Sequence, residues 1–128
     1  LYVANYGSNT VSVISTSSNS VVATVPVGSG PAGVTIAPNG QYAYIANNGG
    51  TTVSVISTSS NSVVSTISVG FSPNGVAITP NGQYLYIANS GSNTISVILV
   101  FNNQVVTTIT SVPSVPCGIN YGPLGSTC

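Results

Sequence analysis

The chain has 128 residues, and it contains no Lys, Arg, Asp, Glu or His. Without cations it cannot neutralise nucleic-acid phosphates, and without carboxylates or imidazoles it lacks the usual ligands for calcium and zinc. Only tyrosine, cysteine and the chain termini titrate, so a serine nucleophile would have no side-chain base. We therefore expect no catalytic residue, no metal site, no cofactor, no nucleic-acid partner and no enzyme activity.

The same composition bears on location. Hydrophobic residues make up 42% of the chain without a long apolar run, so we expect no membrane span. The sequence has no Met and two Cys, which predicts a chain that is either processed or a fragment, in an oxidising, extracellular or cell-surface compartment. An ordinary protein acquires a large positive charge in acid, whereas this chain does not, which favours an acidic habitat. A low-charge assembly protein with no acid history and a sequence that is not fully natural are the alternatives.

The first repeat occupies residues 1–30. Its opening LYVAN recurs as AYIAN from Ala43 and LYIAN from Leu85, which gives a constant spacing of 42 residues. A period of this length is typical of four-stranded propeller blades.

The second repeat, residues 31–72, contains all four predicted strands. We predict strand A at Gly33–Ala37, strand B at Tyr42–Asn47, strand C at Val53–Thr58 and strand D at Ser62–Val69. Polar turns such as PNGQ separate the strands, and β-branched residues crowd all four of them. The fold class is therefore all-β, with antiparallel blades.

The third repeat, residues 73–115, is complete, and residues 116–128 begin a fourth copy with PCGINYGPLG. The first repeat starts at strand B, so the chain is predicted to hold twelve strands, or three blades. The strand that the first repeat lacks is then supplied by Gly118–Tyr121.

The strands YVAN and YIAN, together with NTVSVIST and PxGVxIxPNG, resemble the YVTN β-propeller repeat family of archaeal surface-layer and other secreted proteins. The resemblance covers nearly the whole chain. It implies four-stranded blades around an axis, a secreted or surface location and no catalytic residues. Asn and Gln stand here where the family usually has Asp and Lys, which weakens any ion-dependent role.

Three blades are too few for a ring, since propellers have about four to eight. We therefore expect the last strand to complete the first blade of a neighbouring copy. The predicted subunit interface joins one edge, Leu1, Tyr2, Val3, Ala4 and Asn5, to a donated strand, Gly118, Ile119, Asn120 and Tyr121. The expected function is a non-enzymatic, head-to-tail assembling structural protein that forms a filament, surface layer or ring. The alternative is a secreted adhesin or lectin-like module that binds glycans or a surface protein.

A few single residues depart from the repeat. Cys117 and Cys128 are predicted to form a disulfide that fixes the last strand, and an intermolecular cross-link or two free thiols are the alternatives. Tyr6 is replaced by Asn48 and Ser90 in the other repeats, which makes it a candidate for a surface contact. Phe101 replaces a polar turn residue and is a candidate apolar contact between subunits.

Overall fold

The computed structural model describes residues 1–110 together with 112, 116, 118 and 119. This part of the chain holds eleven β-strands and one short 3-10 turn at Tyr6–Ser8. The strands are β1 (Tyr2–Asn5), β2 (Thr10–Ser15), β3 (Ser20–Pro26), β4 (Pro31–Ile36), β5 (Tyr42–Asn47), β6 (Thr52–Ser57), β7 (Ser62–Ser68), β8 (Pro73–Ile78), β9 (Tyr84–Asn89), β10 (Thr94–Leu99) and β11 (Gln104–Ile109).

The strands form three antiparallel sheets, one for each repeat. The orders are β1-β2-β3, β4-β5-β6-β7 and β8-β9-β10-β11, so every strand pairs with its neighbour in sequence. The all-β class and the antiparallel blades are confirmed. In the first sheet only three strands lie within the described residues, and the edge of β1 that faces away from β2 has no described partner.

The predicted twelfth strand is not seen among the described residues. Gly118 and Ile119 lie outside any strand. Asn120 and Tyr121 fall outside the described residues, as do Cys117 and Cys128. The pairing of this segment with residues 1–5 and the disulfide therefore stay predictions.

Asparagine and glycine close the hairpins within each blade. Asn19, Asn61 and Asn103 have φ of 52°, 50° and 56° in the turns between the third and fourth strand positions. Gly40 and Gly82 have φ of 74° and 72° in the two PNGQ turns. Asparagine tolerates the left-handed region and glycine adopts it freely, which explains why these turns recur at fixed spacing.

Hydrophobic layers fill the spaces between consecutive sheets. Alternate residues of β5 serve different layers, since Ala43 and Ile45 pack toward the first sheet while Tyr44 packs toward the third. A strand points successive side chains to opposite faces, so the middle sheet is apolar on both sides. Completely burying a side chain such as Ile56 contributes about 1.5–3 kcal/mol.

The three sheets are arranged as wedges. Strands β4 and β8 pack closely against each other, whereas the outermost strands β3 and β7 barely touch. The sheets therefore splay away from a line that runs along the inner strands β4 and β8. We call the space on this side of the inner strands the channel.

Candidate functional site

One end of the three sheets is built from loops rich in Asn, Ser and Gly. It comprises the turns 6–9, 48–51 and 90–93 and the loops 27–30 and 69–72, and we call it the asparagine end. The inner strands β4 and β8 both begin here. Loops that meet at the mouth of a channel are the usual place for a binding site on a scaffold of this kind.

A buried asparagine supports the asparagine end in each blade. Asn47 is 0% exposed, and its Nδ2 donates hydrogen bonds to Thr52 Oγ1 (3.0 Å) and Ser54 Oγ (2.9 Å). Asn89 makes the same pair of bonds to Thr94 and Ser96, and Asn5 makes them to Thr10 and Ser12. These side chains tie the end of the second strand to the start of the third, so they fix the turn between them.

Glycine lets the preceding loop close over these amides. A Cβ at Gly28 would lie 2.6 Å from Asn47 Nδ2, and a Cβ at Gly70 would lie 2.7 Å from Asn89 Cγ. The Oδ1 atoms of Asn47 and Asn89 are buried without a hydrogen-bond partner among the described residues. The asparagines are thus enclosed supports of the loops and are not available to a ligand.

Side chains from two turns brace the start of β8. Asn48 Nδ2 donates to the carbonyl oxygens of Ser72 and Pro73, both at 3.3 Å. Ser90 Oγ donates to the same Ser72 oxygen at 2.8 Å. Asn48 belongs to the second sheet and Ser90 to the third, so these bonds join two blades at the start of an inner strand.

The start of β4 is held by the first blade in a similar way. Gly30 N donates to Asn9 Oδ1 at 2.8 Å, and a Cβ on Gly30 would lie 2.9 Å from the ring of Tyr6. Tyr6 itself is 59% exposed. Tyr6, which the sequence suggested as a candidate for a surface contact, therefore has an exposed ring beside the start of β4.

The second residue of each inner strand varies between repeats, although its neighbours are constant. Ala32 in β4 corresponds to Asn74 in β8, between an invariant Pro and an invariant Gly. Gly33 lies against the carbonyl oxygen of Asn74, where a Cβ would clash. Glycine is thus needed for the two inner strands to approach each other, while the residue before it differs in chemistry between the repeats.

The channel side of the inner strands is a main-chain edge. Ala37 N donates to Tyr42 O at 2.8 Å and Thr79 N donates to Tyr84 O at 2.9 Å. Antiparallel pairs alternate between bonded and non-bonded positions. Main-chain N–H and C=O groups of the residues between therefore point away from the paired strand; these are Val34 and Ile36 in β4 and Val76 and Ile78 in β8.

A cavity of about 580 Å³ lies beside the free edge of β1. Its lining includes Leu1, Tyr2, Val34 and Ile36. It occupies the position beside β1 that the inner strands fill in the other two blades. The structure thus places the predicted edge, Leu1, Tyr2, Val3, Ala4 and Asn5, at an open strand position, and nothing among the described residues fills it.

Other aromatic side chains lie at the ends of the blades or between them. Phe101 is 93% exposed at the opposite end of the blades, and Phe71 is exposed on the loop 69–72.

Tyr44 is 1% exposed and burial raises its pKa, with Tyr42 adding a smaller effect in the same direction. Burial likewise raises the pKa of Tyr2, whose hydroxyl donates to Asn61 Oδ1 at 2.7 Å. These phenols are packing groups that join neighbouring blades.

The described residues contain no cluster of metal-binding side chains. None of the helical segments in the described part of the chain has the length and hydropathy of a membrane span.

Wedge-shaped, four-stranded antiparallel sheets around inner strands define a segment of a β-propeller. The sequence matches the family described as Lactonase, 7-bladed beta-propeller over residues 22–116. Because this match covers most of the chain, the chain belongs to that family.

Solved structures agree with the fold. The chain is 27% identical to Kuenenia stuttgartiensis hydrazine synthase with a TM-score of 0.88, covering 91% of this chain and 34% of that one. It is 23% identical to a 6-phosphogluconolactonase-like protein from Bacteroides fragilis with a TM-score of 0.77, covering 91% of this chain and 37% of that one. The chain thus spans about a third of these structures. No curated protein sequence matches it.

The family corrects the functional predictions. The self-assembling structural protein and its glycan-binding alternative are wrong, and so is the prediction of a non-enzymatic protein, because the family is one of lactonases. Composition was misleading because the absence of ionisable side chains from these 128 residues was taken to exclude enzyme activity, whereas the family match does not depend on them. A β-propeller is confirmed, whereas the finer YVTN and archaeal surface-layer resemblance is not supported.

Proposed function

We propose that the chain forms three blades of a seven-bladed lactonase, and that its inner strands provide part of the wall of the substrate channel. The observation that carries the proposal is the family match over residues 22–116, a range that contains the inner strands β4 and β8, which pack against each other. Hydrolysis of a lactone adds water to the ring carbonyl and releases the ring oxygen as a hydroxyl group.

The contribution of these blades is binding and orientation. The 128 residues contain no Asp, Glu or His that could activate water near neutral pH. The general acid and base of the proposed reaction therefore belong to the other blades of the ring. Asn74 is the side chain of this chain best placed to contact substrate, because it is the variable polar residue at the start of an inner strand.

The test is an assay of lactone opening by the purified seven-bladed protein, followed by proton release at constant pH. Asn74→Ala removes an amide from the channel entrance and is expected to lower kcat/KM about tenfold, the loss of roughly one hydrogen bond to substrate. Asn81→Ala is the matched control, since Asn81 lies in a turn at the opposite end of the blades.

Three outcomes are informative. A selective loss in the Asn74 variant supports the proposal. Equal activity in both variants would show that Asn74 does not contact the substrate and would argue against a role of these inner strands in the substrate site. Failure of the intact ring to open any of a panel of five- and six-membered lactones would overturn the enzymatic proposal itself.

A further inference from the structure

The residue before the inner strand β8, Ser72, has a strained main-chain conformation. Its φ is 50°, in the left-handed region that a residue with a Cβ seldom adopts unless it is Asn or Asp. The corresponding residue before β4 is Gly30, whose φ of 55° is nearly the same. The two loops therefore share one backbone conformation, and the loop before β8 forms it with a residue that is poorly suited to it.

Two side chains hold the carbonyl group of Ser72. Its oxygen accepts hydrogen bonds from Ser90 Oγ at 2.8 Å and from Asn48 Nδ2 at 3.3 Å, in addition to one from Ser90 N at 3.1 Å. The oxygen of Gly30 accepts the equivalent main-chain bond, from Asn48 N at 2.8 Å, but none from a side chain of the described residues. The side-chain bonds thus occur at the strained residue, where the surroundings must fix the conformation if it is to persist.

The strained residue lies in a short segment where the repeat changes. Phe71, Ser72 and Asn74 differ from their counterparts in the loop 27–33, whereas the other residues of 69–75 are identical to theirs. Asn74, for which we proposed contact with the substrate, follows closely after Ser72 in the chain. Backbone strain is often found where a functional group must be held in place. The strain at Ser72 therefore indicates that this segment orients Asn74.

We propose that Asn48 and Ser90 are positioning residues, which hold Ser72 in its left-handed conformation and thereby fix the direction in which β8 presents Asn74 to the substrate. The inference rests on the proposed lactonase function and assigns its site two supports that do not touch the substrate. Without these side chains, Ser72 relaxes toward a negative φ and the start of β8 changes direction. Ser72→Gly removes the strain, so in that variant the conformation no longer depends on the two side chains.

The test measures kcat/KM for lactone opening by the purified seven-bladed protein. Removing both supports, as Asn48→Ala with Ser90→Ala, should lower kcat/KM about tenfold, the loss also expected for Asn74→Ala, because a misdirected amide makes no bond to substrate. Adding Ser72→Gly should restore most of the lost activity. In the Asn74→Ala protein, removing the supports should have no further effect, since the group that they position is gone.

A merely structural role of the two supports gives a different pattern. It would lower kcat/KM by the same factor in the Asn74 and Asn74→Ala proteins, and Ser72→Gly would restore nothing; either result would overturn the inference. Tyr2→Phe is the control, because it also removes a hydrogen bond between blades, from Tyr2 to Asn61 Oδ1, but at the opposite end. This variant should keep the activity of the unmodified protein.

Amide hydrogen exchange provides a readout that needs no lactone. Ser72 N donates to Gly50 O at 3.0 Å, so its exchange should become about tenfold faster when Asn48 and Ser90 are both replaced by Ala, and slow again when Ser72→Gly is added at the same site. Unchanged exchange would overturn the inference. If lactones are opened but the double variant keeps full activity, the positioning role fails alone. If no lactone is opened, the proposed function fails and the positioning role fails with it.

Discussion

The buried asparagines show that the hydrogen bonds of a neutral amide can fix a turn without a charged side chain. Asn47 is enclosed by Gly28 and bonded to Thr52 and Ser54. The sequence predicted polar turns between the strands, and the structure has such turns between consecutive strands of each sheet. Burial of Asn47 could not be predicted, because it depends on the approach of a loop that starts twenty residues earlier in the chain.

Replacing Asn47 by Asp should make stability depend on pH in the acid range. The carboxyl would be buried with no cation in the chain, so desolvation should raise its folded-state pKa above the unfolded value of about 3.9. Stability is then fully retained below about pH 3.9 and lost as the pH rises through the folded pKa. Urea unfolding at pH 3 and pH 7 measures the difference.

The matched control is Asn5→Asp. Asn5 makes the equivalent bonds to Thr10 and Ser12 but is only partly buried. Its substitution should give a clearly smaller difference between the two pH values. An Asn47→Asp protein as stable at pH 7 as at pH 3 would contradict the enclosed site.

The burial of Tyr44 leads to a prediction for the stability of the chain at alkaline pH. Burial raises its pKa above the ordinary value of 10.0, so its contribution is complete below about pH 10 and is lost as the pH rises through the folded pKa. For the 128-residue chain, the free energy of unfolding should therefore be flat between about pH 4 and 7, where none of its side chains titrates, and should fall above about pH 10. Tyr44→Phe should weaken the alkaline fall, and an unchanged profile in this variant would assign the fall to other groups.

At the scale of the element, the repeat predicted most strands well. The predicted strand at Tyr42–Asn47 has the same bounds as β5, and β6 and β7 differ from their predictions by one residue. Strand β4 starts earlier than predicted, at Pro31, because a proline needs no donor at the first position of a strand. The channel entrance was missed, since the sequence alone does not reveal which strand edge faces the axis.

The turn between β2 and β3 provides an element-scale prediction. Asn19 has φ of 52°, and a β-branched residue is strained there, so Asn19→Val should destabilise the protein by about 1–2 kcal/mol. Thr16→Val is the control, because Thr16 is exposed in the same turn without a positive φ. Thermal unfolding of both variants checks the difference, and equal melting temperatures would argue against the left-handed turn.

For the whole molecule, composition was a poor guide to the protein family. The absence of ionisable side chains was interpreted as the absence of catalysis, but the chain spans about a third of similar solved propellers. A propeller collects its site residues from several blades around one axis, so a neutral segment is compatible with a reactive centre. The location of the protein and its predicted acidic habitat stay predictions.

Packing between blades is tested by Gly33→Ala. The added methyl group would clash with the Asn74 carbonyl, a main-chain atom of the next blade, so β4 and β8 must move apart. We expect a loss of about 1–3 kcal/mol, typical of overpacking, measured by urea unfolding. Gly7→Ala is the control, since a Cβ at Gly7 meets nothing within 4 Å. Equal stability of the two variants would contradict the close approach of the inner strands.

The hairpins β2–β3 and β6–β7 could pair incorrectly during folding, because parts of their sequences are identical. Residues 10–22 and 52–64 have the same sequence, and both hairpins place their strands in the same register, with Val11 opposite Val25 and Val53 opposite Ile67. The side chains therefore do not determine whether β3 pairs with β2 or with β6. Chain connectivity does, because a short turn closes at lower entropic cost than a long excursion. The correct pairing is thus encoded by the brevity of the turns, and a chain cut within 16–19 or 58–61 would lose the information that keeps the two hairpins distinct.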